Sequence, residues 1–138
     1  MASYRAKLPA VSSGGAVIKS VQRGQTIILA NQTTVNVTIT GVDLTKSFVT
    51  CEVTTQYIGT EEVGQTTASV HLVSSTQISV RRVASSITQQ VYVTWQVVEF
   101  VSGVSVQRGF TSTTSAIETV TISAVDMSKS FLMSSIRY

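Results

Sequence analysis

One histidine, His71, and one cysteine, Cys51, bound the nucleophilic and metal chemistry open to this chain of 138 residues. A Ser-His-Asp or Cys-His pair needs an imidazole beside its nucleophile, so every such arrangement must pass through the single ring of His71. That ring lies between Val70 and Leu72 and, at strand periodicity, on the face opposite them, which reads as a surface or interface histidine. Cys51 alternates with Val49 and Val53 and reads as a small core residue. Its neighbours supply none of the basic, exposed setting that a reactive thiolate needs. The seven carboxylates are scattered. A glycosidase-like pair could be drawn from Glu52, Glu61, Glu62, Glu99 or Glu118, but no spacing selects one. Lys46-Ser47 and Lys129-Ser130 each set a lysine beside a serine, yet a Ser–Lys nucleophile does not explain why the whole surrounding turn occurs twice. No glycine-rich loop could cradle a phosphate, and no set of ligands converges on a metal. The expectation is a protein that is not an enzyme and has no cofactor. Trp95, the single tryptophan, has two readings. It is the largest residue of a core, or, with Tyr57 or Tyr92, it is a stacking platform for a sugar.

The elements that would position these residues are organised around a repeat. Residues 20–49 run Ser-Val-Gln-Arg-Gly, a polar stretch, then Val-Thr-Ile-Thr-Gly-Val-Asp-Leu-Thr-Lys-Ser-Phe-Val. Residues 105–132 run Ser-Val-Gln-Arg-Gly, a polar stretch, then Val-Thr-Ile-Ser-Ala-Val-Asp-Met-Ser-Lys-Ser-Phe-Leu. The two copies differ in length by two residues between Gly and Asp, which preserves strand faces where one residue would invert them. They read as the same strand-turn-strand unit, over about 17–49 and 104–132. Arg23-Gly24 and Arg108-Gly109 read as turns, because glycine supplies the backbone freedom that a tight turn needs. Asp43 with Lys46, and Asp126 with Lys129, read as a second turn in each copy. An Asp there can accept from the backbone two residues on, and the lysine balances its charge.

Val, Ile and Thr supply 52 of the residues, and these β-branched side chains favour a pleated surface. Apolar and polar residues alternate through Val35, Val37 and Ile39, through Val49 to Tyr57, through Ala68, Val70 and Leu72, and through Val91, Val93, Trp95 and Val97. The doubled Val97-Val98 switches parity and suggests a bulge or bend. No window of helical length keeps a helical period. About ten short strands, with turns at roughly 8–12 residue spacing, indicate an all-β, single-domain β-sandwich or jelly-roll-like barrel over 16–138. Ahead of it, residues 1–15 read as an extended N-terminal arm. Its Tyr4, Arg5, Lys7 and Leu8 are candidate partner contacts.

Charged residues make up 12% of the chain, against about a quarter in an average domain. So few charges, with a positive mean hydropathy, point to a surface partly covered by partners, in a homo-oligomer such as a dimer or trimer. The net charge of +3 is led by Arg5, Lys7, Lys19 and Arg23, all before the first acid, Asp43. The leading segment lacks the aromatic and arginine interleaving of a nucleic-acid reader, so no nucleic-acid partner is expected. No window is apolar enough for a membrane span, and residues 1–10 carry no signal-peptide core, so neither a membrane nor a secretory route is expected.

The Val-Gln-Arg-Gly and Val-Thr-Ile-x-x-Val-Asp-x-x-Lys-Ser-Phe segments are similar to segments of short, β-rich virion structural proteins of tailed bacteriophages. So is Val93-Thr94-Trp95-Gln96-Val97-Val98-Glu99-Phe100, following Ile78-Ser79-Val80-Arg81-Arg82. The resemblance implies a structural protein of the capsid exterior or tail, assembled in many copies in the virion, with no catalytic residues to transfer. It points first to a capsid decoration or cement protein contacting the major capsid protein or other virion proteins. A minor tail, neck or baseplate protein, or a receptor- or carbohydrate-binding module, is the alternative.

Overall fold

The computed structural model describes residues 15–55, 63–109 and 119–134. It is an all-β fold of two three-stranded antiparallel sheets packed in a β-sandwich-like arrangement. The strands are β1 (Val17–Ile28), β2 (Thr34–Thr38), β3 (Ser47–Thr55), β4 (Ser69–Ser74), β5 (Gln77–Arg81) and β6 (Val91–Ser102). Sheet A has the order β1-β6-β3 and sheet B the order β2-β5-β4. The chain therefore crosses between layers at every connection but β4–β5, and β6 is the centre of sheet A with both edges occupied. Helix is confined among the described residues to one turn, Val63–Thr66, and two 3-10 turns, Leu44–Lys46 and Met127–Lys129.

Period-two alternation accounts for the core. Val91, Val93, Trp95 and Val97 of β6 bury one face of sheet A, together with Ile28 at the end of β1. Val70 of β4 and Ile78 and Val80 of β5 face them from sheet B, and Ile39, Val42 and Ala68 close the margins. On the other face of sheet A, Phe48 and Phe100 approach with ring centroids 6.0 Å apart. Val98, flanked by Val21 and Phe48 in the strand register, is buried between them. The register of β1 on β6 shifts around Ile18, opposite Phe100, so Lys19 has no direct partner across the ladder.

Three expectations need correction. Arg23 and Gly24 do not turn the chain; they lie inside β1, which runs unbroken for 12 residues where two short strands were expected. Positive φ falls instead at Gly103 (77°), whose missing Cβ makes room for the Gly15 carbonyl, and at Asn31 (64°) between β1 and β2. The second repeat, expected as strand-turn-strand over 104–132, forms no strand among its described residues. Arg108 and Gly109 lie there in unpaired backbone and not in a turn. The count of strands is therefore six among the described residues, against about ten expected.

Candidate functional site

The first repeat grips β6 from both sides. At the level of Glu99, β1 contributes Ser20 and β3 contributes Ser47 as direct ladder partners. The Glu99 carboxylate is buried and fully engaged. Oε1 accepts from the Asp43 N–H at 2.9 Å and from Lys19 Nζ at 2.9 Å, and Oε2 accepts from Ser20 Oγ at 3.2 Å. These donors, the Asp43 N–H foremost, hold Glu99 below the usual carboxylate range against the opposing effect of burial. Four residues earlier, Trp95 lies across the backbone of Gly24, its partner in β1. A Cβ at Gly24 would stand 2.8 Å from Trp95 Cε2 and closer still to Cζ2. The indole Nε1 donates to Thr26 Oγ1 at 3.1 Å, and Arg23 Nε donates to Gln96 Oε1 at 2.6 Å. Glycine is needed here for close approach, with the indole supplying the contact area that the glycine lacks.

Two hydrogen-bonded devices hold the arms of this grip together. The Gln22 side chain clamps the backbone of Thr40 in both directions, donating to its carbonyl at 2.8 Å and accepting from its N–H at 2.7 Å. Asp43 caps the 3-10 turn, its Oδ1 accepting from the Thr45 N–H at 2.8 Å and from the Thr45 hydroxyl at 2.7 Å. Ser47 Oγ then donates to the Asp43 carbonyl at 2.6 Å, and Lys46 lies 3.9 Å from Asp43 Oδ2. The Thr45 donors hold the Asp43 carboxyl low.

The second repeat builds the same devices, and no strand of the described residues pairs with its arms. Gln107 clamps the backbone of Ser123 in both directions, at 3.0 and 2.7 Å. Asp126 Oδ1 accepts from the Ser128 N–H at 3.0 Å and its hydroxyl at 2.7 Å, Ser130 Oγ donates to the Asp126 carbonyl at 2.7 Å, and Lys129 lies 3.5 Å from Asp126 Oδ2. The Ser128 donors hold the Asp126 carboxyl low, as Thr45 does for Asp43. Backbone angles agree closely: Asp43 has φ −77°, ψ 112° and Asp126 has φ −78°, ψ 106°; Ser47 has φ −127°, ψ 145° and Ser130 has φ −121°, ψ 149°. Burial is where the copies part. Ile39 and Val42 are 6% and 7% exposed, while their counterparts Ile122 and Val125 are 59% and 41% exposed. Phe131 and Leu132, counterparts of Phe48 and Val49, are 78% and 90% exposed. The second copy thus presents apolar side chains to solvent on a backbone held in shape by its own hydrogen bonds.

The residues considered for chemistry are not brought together. His71 is half-buried on β4, with Nε2 3.0 Å from Ser69 Oγ. Cys51 is packed against the core, and burial raises its thiol pKa, away from a nucleophilic thiolate. Trp95 is buried, which removes the indole as an open stacking platform. Among the described residues no three His, Cys, Asp or Glu side chains gather as metal ligands, and no helix is long and apolar enough to cross a membrane. Tyr4, Arg5, Lys7 and Leu8 of the N-terminal arm, and Tyr57, Glu61, Glu62 and Glu118, lie outside the described residues.

Arg82 was missed by sequence reasoning, where it belonged to a polar connection. It is buried and donates to four backbone carbonyls: Gln32 at 2.7 Å, Leu29 at 2.9 Å, Gln65 at 3.0 Å and Gln89 at 3.2 Å. The planar fork of a guanidinium suits such a junction, because several donors point outward from one rigid group. It joins three connections that are far apart in sequence. Comparison with known proteins returns no match to a family model, a curated protein or a solved structure.

Proposed function

We propose that this protein is a structural component of a tailed-phage virion, a decoration or cement protein on the head shell. The observation that supports the reading most is the exposed apolar surface of the second repeat, carried on a backbone that its own hydrogen bonds already fix. Preformed surface of this kind suits assembly, since little ordering entropy remains to be lost on contact. The similarity of the repeat and of β6 to segments of β-rich virion proteins supplies the setting. In this reading the partners are the major capsid protein and further copies of the chain, as a dimer or trimer on a local symmetry axis. Modest contacts become durable when linked subunits engage several capsomers at once.

Quantitative mass spectrometry of purified virions tests the placement. A head-shell role requires copies on the scale of the major capsid protein. A count of tens or fewer overturns it in favour of a tail, neck or baseplate position. Absence from washed virions removes the virion reading altogether.

A further inference from the structure

We propose that the second repeat is a strand acceptor: residues 104–109 and 119–132 receive, between their arms, a β-strand of β6 pattern supplied by a partner polypeptide. The first repeat shows what its fold is built to hold. There Ser20 to Gly24 and Ser47 to Val49 flank β6 on its two edges. The second repeat retains the same clamp, the same capped turn and the same backbone angles, and no described strand occupies the corresponding place. Its apolar residues face solvent where those of the first are covered.

Corresponding positions define the chemistry of the incoming strand. Gly109 takes the place of Gly24, and nothing lies within 4 Å of where its Cβ would be, so an indole can be laid across it. Arg108 stands where Arg23 meets Gln96, and the Asp126 N–H stands where Asp43 meets Glu99. Phe131 stands where Phe48 packs on Phe100. The strand is therefore apolar in alternation, with Trp-Gln at the glycine, a hydrogen-bond acceptor four residues after the Trp, and an aromatic residue next.

One position differs. Lys19, which neutralises Glu99, corresponds to Val104. A buried carboxylate in the second site would lack its cation, so the acceptor need not be charged and a glutamine serves as well. The strand does not come from the N-terminal arm, because residues 1–14 contain neither Trp nor Glu nor Gln. Nor is it β6 of a second copy, since both edges of that strand are already paired in its own sheet. The acceptor stands independently of where in a virion the protein sits. Strand addition of this type draws its affinity from main-chain hydrogen bonds and its specificity from alternate side chains.

The probe is the 12-residue sequence of β6, fused to a soluble carrier and titrated into the full-length protein by calorimetry. Saturable binding is expected, with at least a ~tenfold loss for the Gly109→Val protein and for a probe with Ala in place of Trp. Thermal unfolding of Gly109→Val should match the parent, because the added side chain enters open space. A probe with Gln in place of its Glu should bind within about threefold of the original. Absence of binding, or equal binding by Gly109→Val, overturns the proposal. Self-association of the protein that disappears in Gly109→Val assigns the groove to a second copy and overturns the partner strand. Failure of the virion placement with strand binding intact would leave the acceptor standing.

Discussion

Gly24 and Gly109 carry the same sequence context and opposite structural demands. Gly24 is covered by the Trp95 indole, whereas the space beside Gly109 is open. Gly24→Ala should therefore destabilise the fold by about 1–3 kcal/mol through overpacking, while Gly109→Ala should stay within about 0.5 kcal/mol. Urea unfolding of the two variants checks the contrast, and equal losses would show that the indole moves aside at no cost. The glycine itself was legible as a special position, but its purpose was not, since Gln-Arg-Gly-Gln reads equally as a turn or as a close approach. Only the pairing of Gly24 with Trp95, 71 residues away, decides it. Glu99 gives a second test at this scale. Its folded pKa lies below the ordinary glutamate value of about 4.3, so its contribution to stability is complete above that value. That contribution is lost as pH falls toward the lower folded pKa. Thermal midpoints should drop below about pH 4, and Glu99→Gln should make the drop shallower. An unchanged drop would assign the acid sensitivity to Asp43 and Asp126, whose carboxyls are shifted in the same direction.

Among the elements, strands with one buried face were legible and strands defined by distant partners were not. Val91, Val93, Trp95 and Val97 alternate cleanly and line the core. β1 alternates in burial but not in hydrophobicity, because its half-buried positions are Ser20, Gln22, Gly24 and Thr26, and its length is set by the ladder with β6. The connections posed a harder problem, since four of their carbonyls are satisfied by one side chain from the end of β5. An arginine next to another arginine in a polar stretch resembles solvated charge, and nothing local distinguishes Arg82 from Arg81. Arg82→Ala should cost about 3 kcal/mol or more, because it orphans several buried acceptors together. Arg82→Lys should recover little of that loss, as one ammonium cannot span the four carbonyls. Chemical denaturation of both variants decides the point, and a loss under about 1 kcal/mol would show that water replaces the fork.

At the scale of the molecule, composition and turn spacing were enough for an all-β fold in two layers, while the path of the chain through them was not. The repeat misled because sequence identity preserves local hydrogen bonding but cannot supply a neighbour. One copy closes on β6, and the other has its arms set and its apolar residues in solvent. The position of β6 carries a further consequence for biosynthesis. β1 and β3 touch no other strand in sheet A, so the layer has no ladder at all until residues 91–102 exist. During translation the first ninety or so residues can leave the ribosome with only sheet B able to pair. The nascent chain thus carries two unpaired, β-branched strands for most of its synthesis. Its sharpest exposure to aggregation comes before the final strand emerges, and that strand's arrival completes half of the protein in a single event.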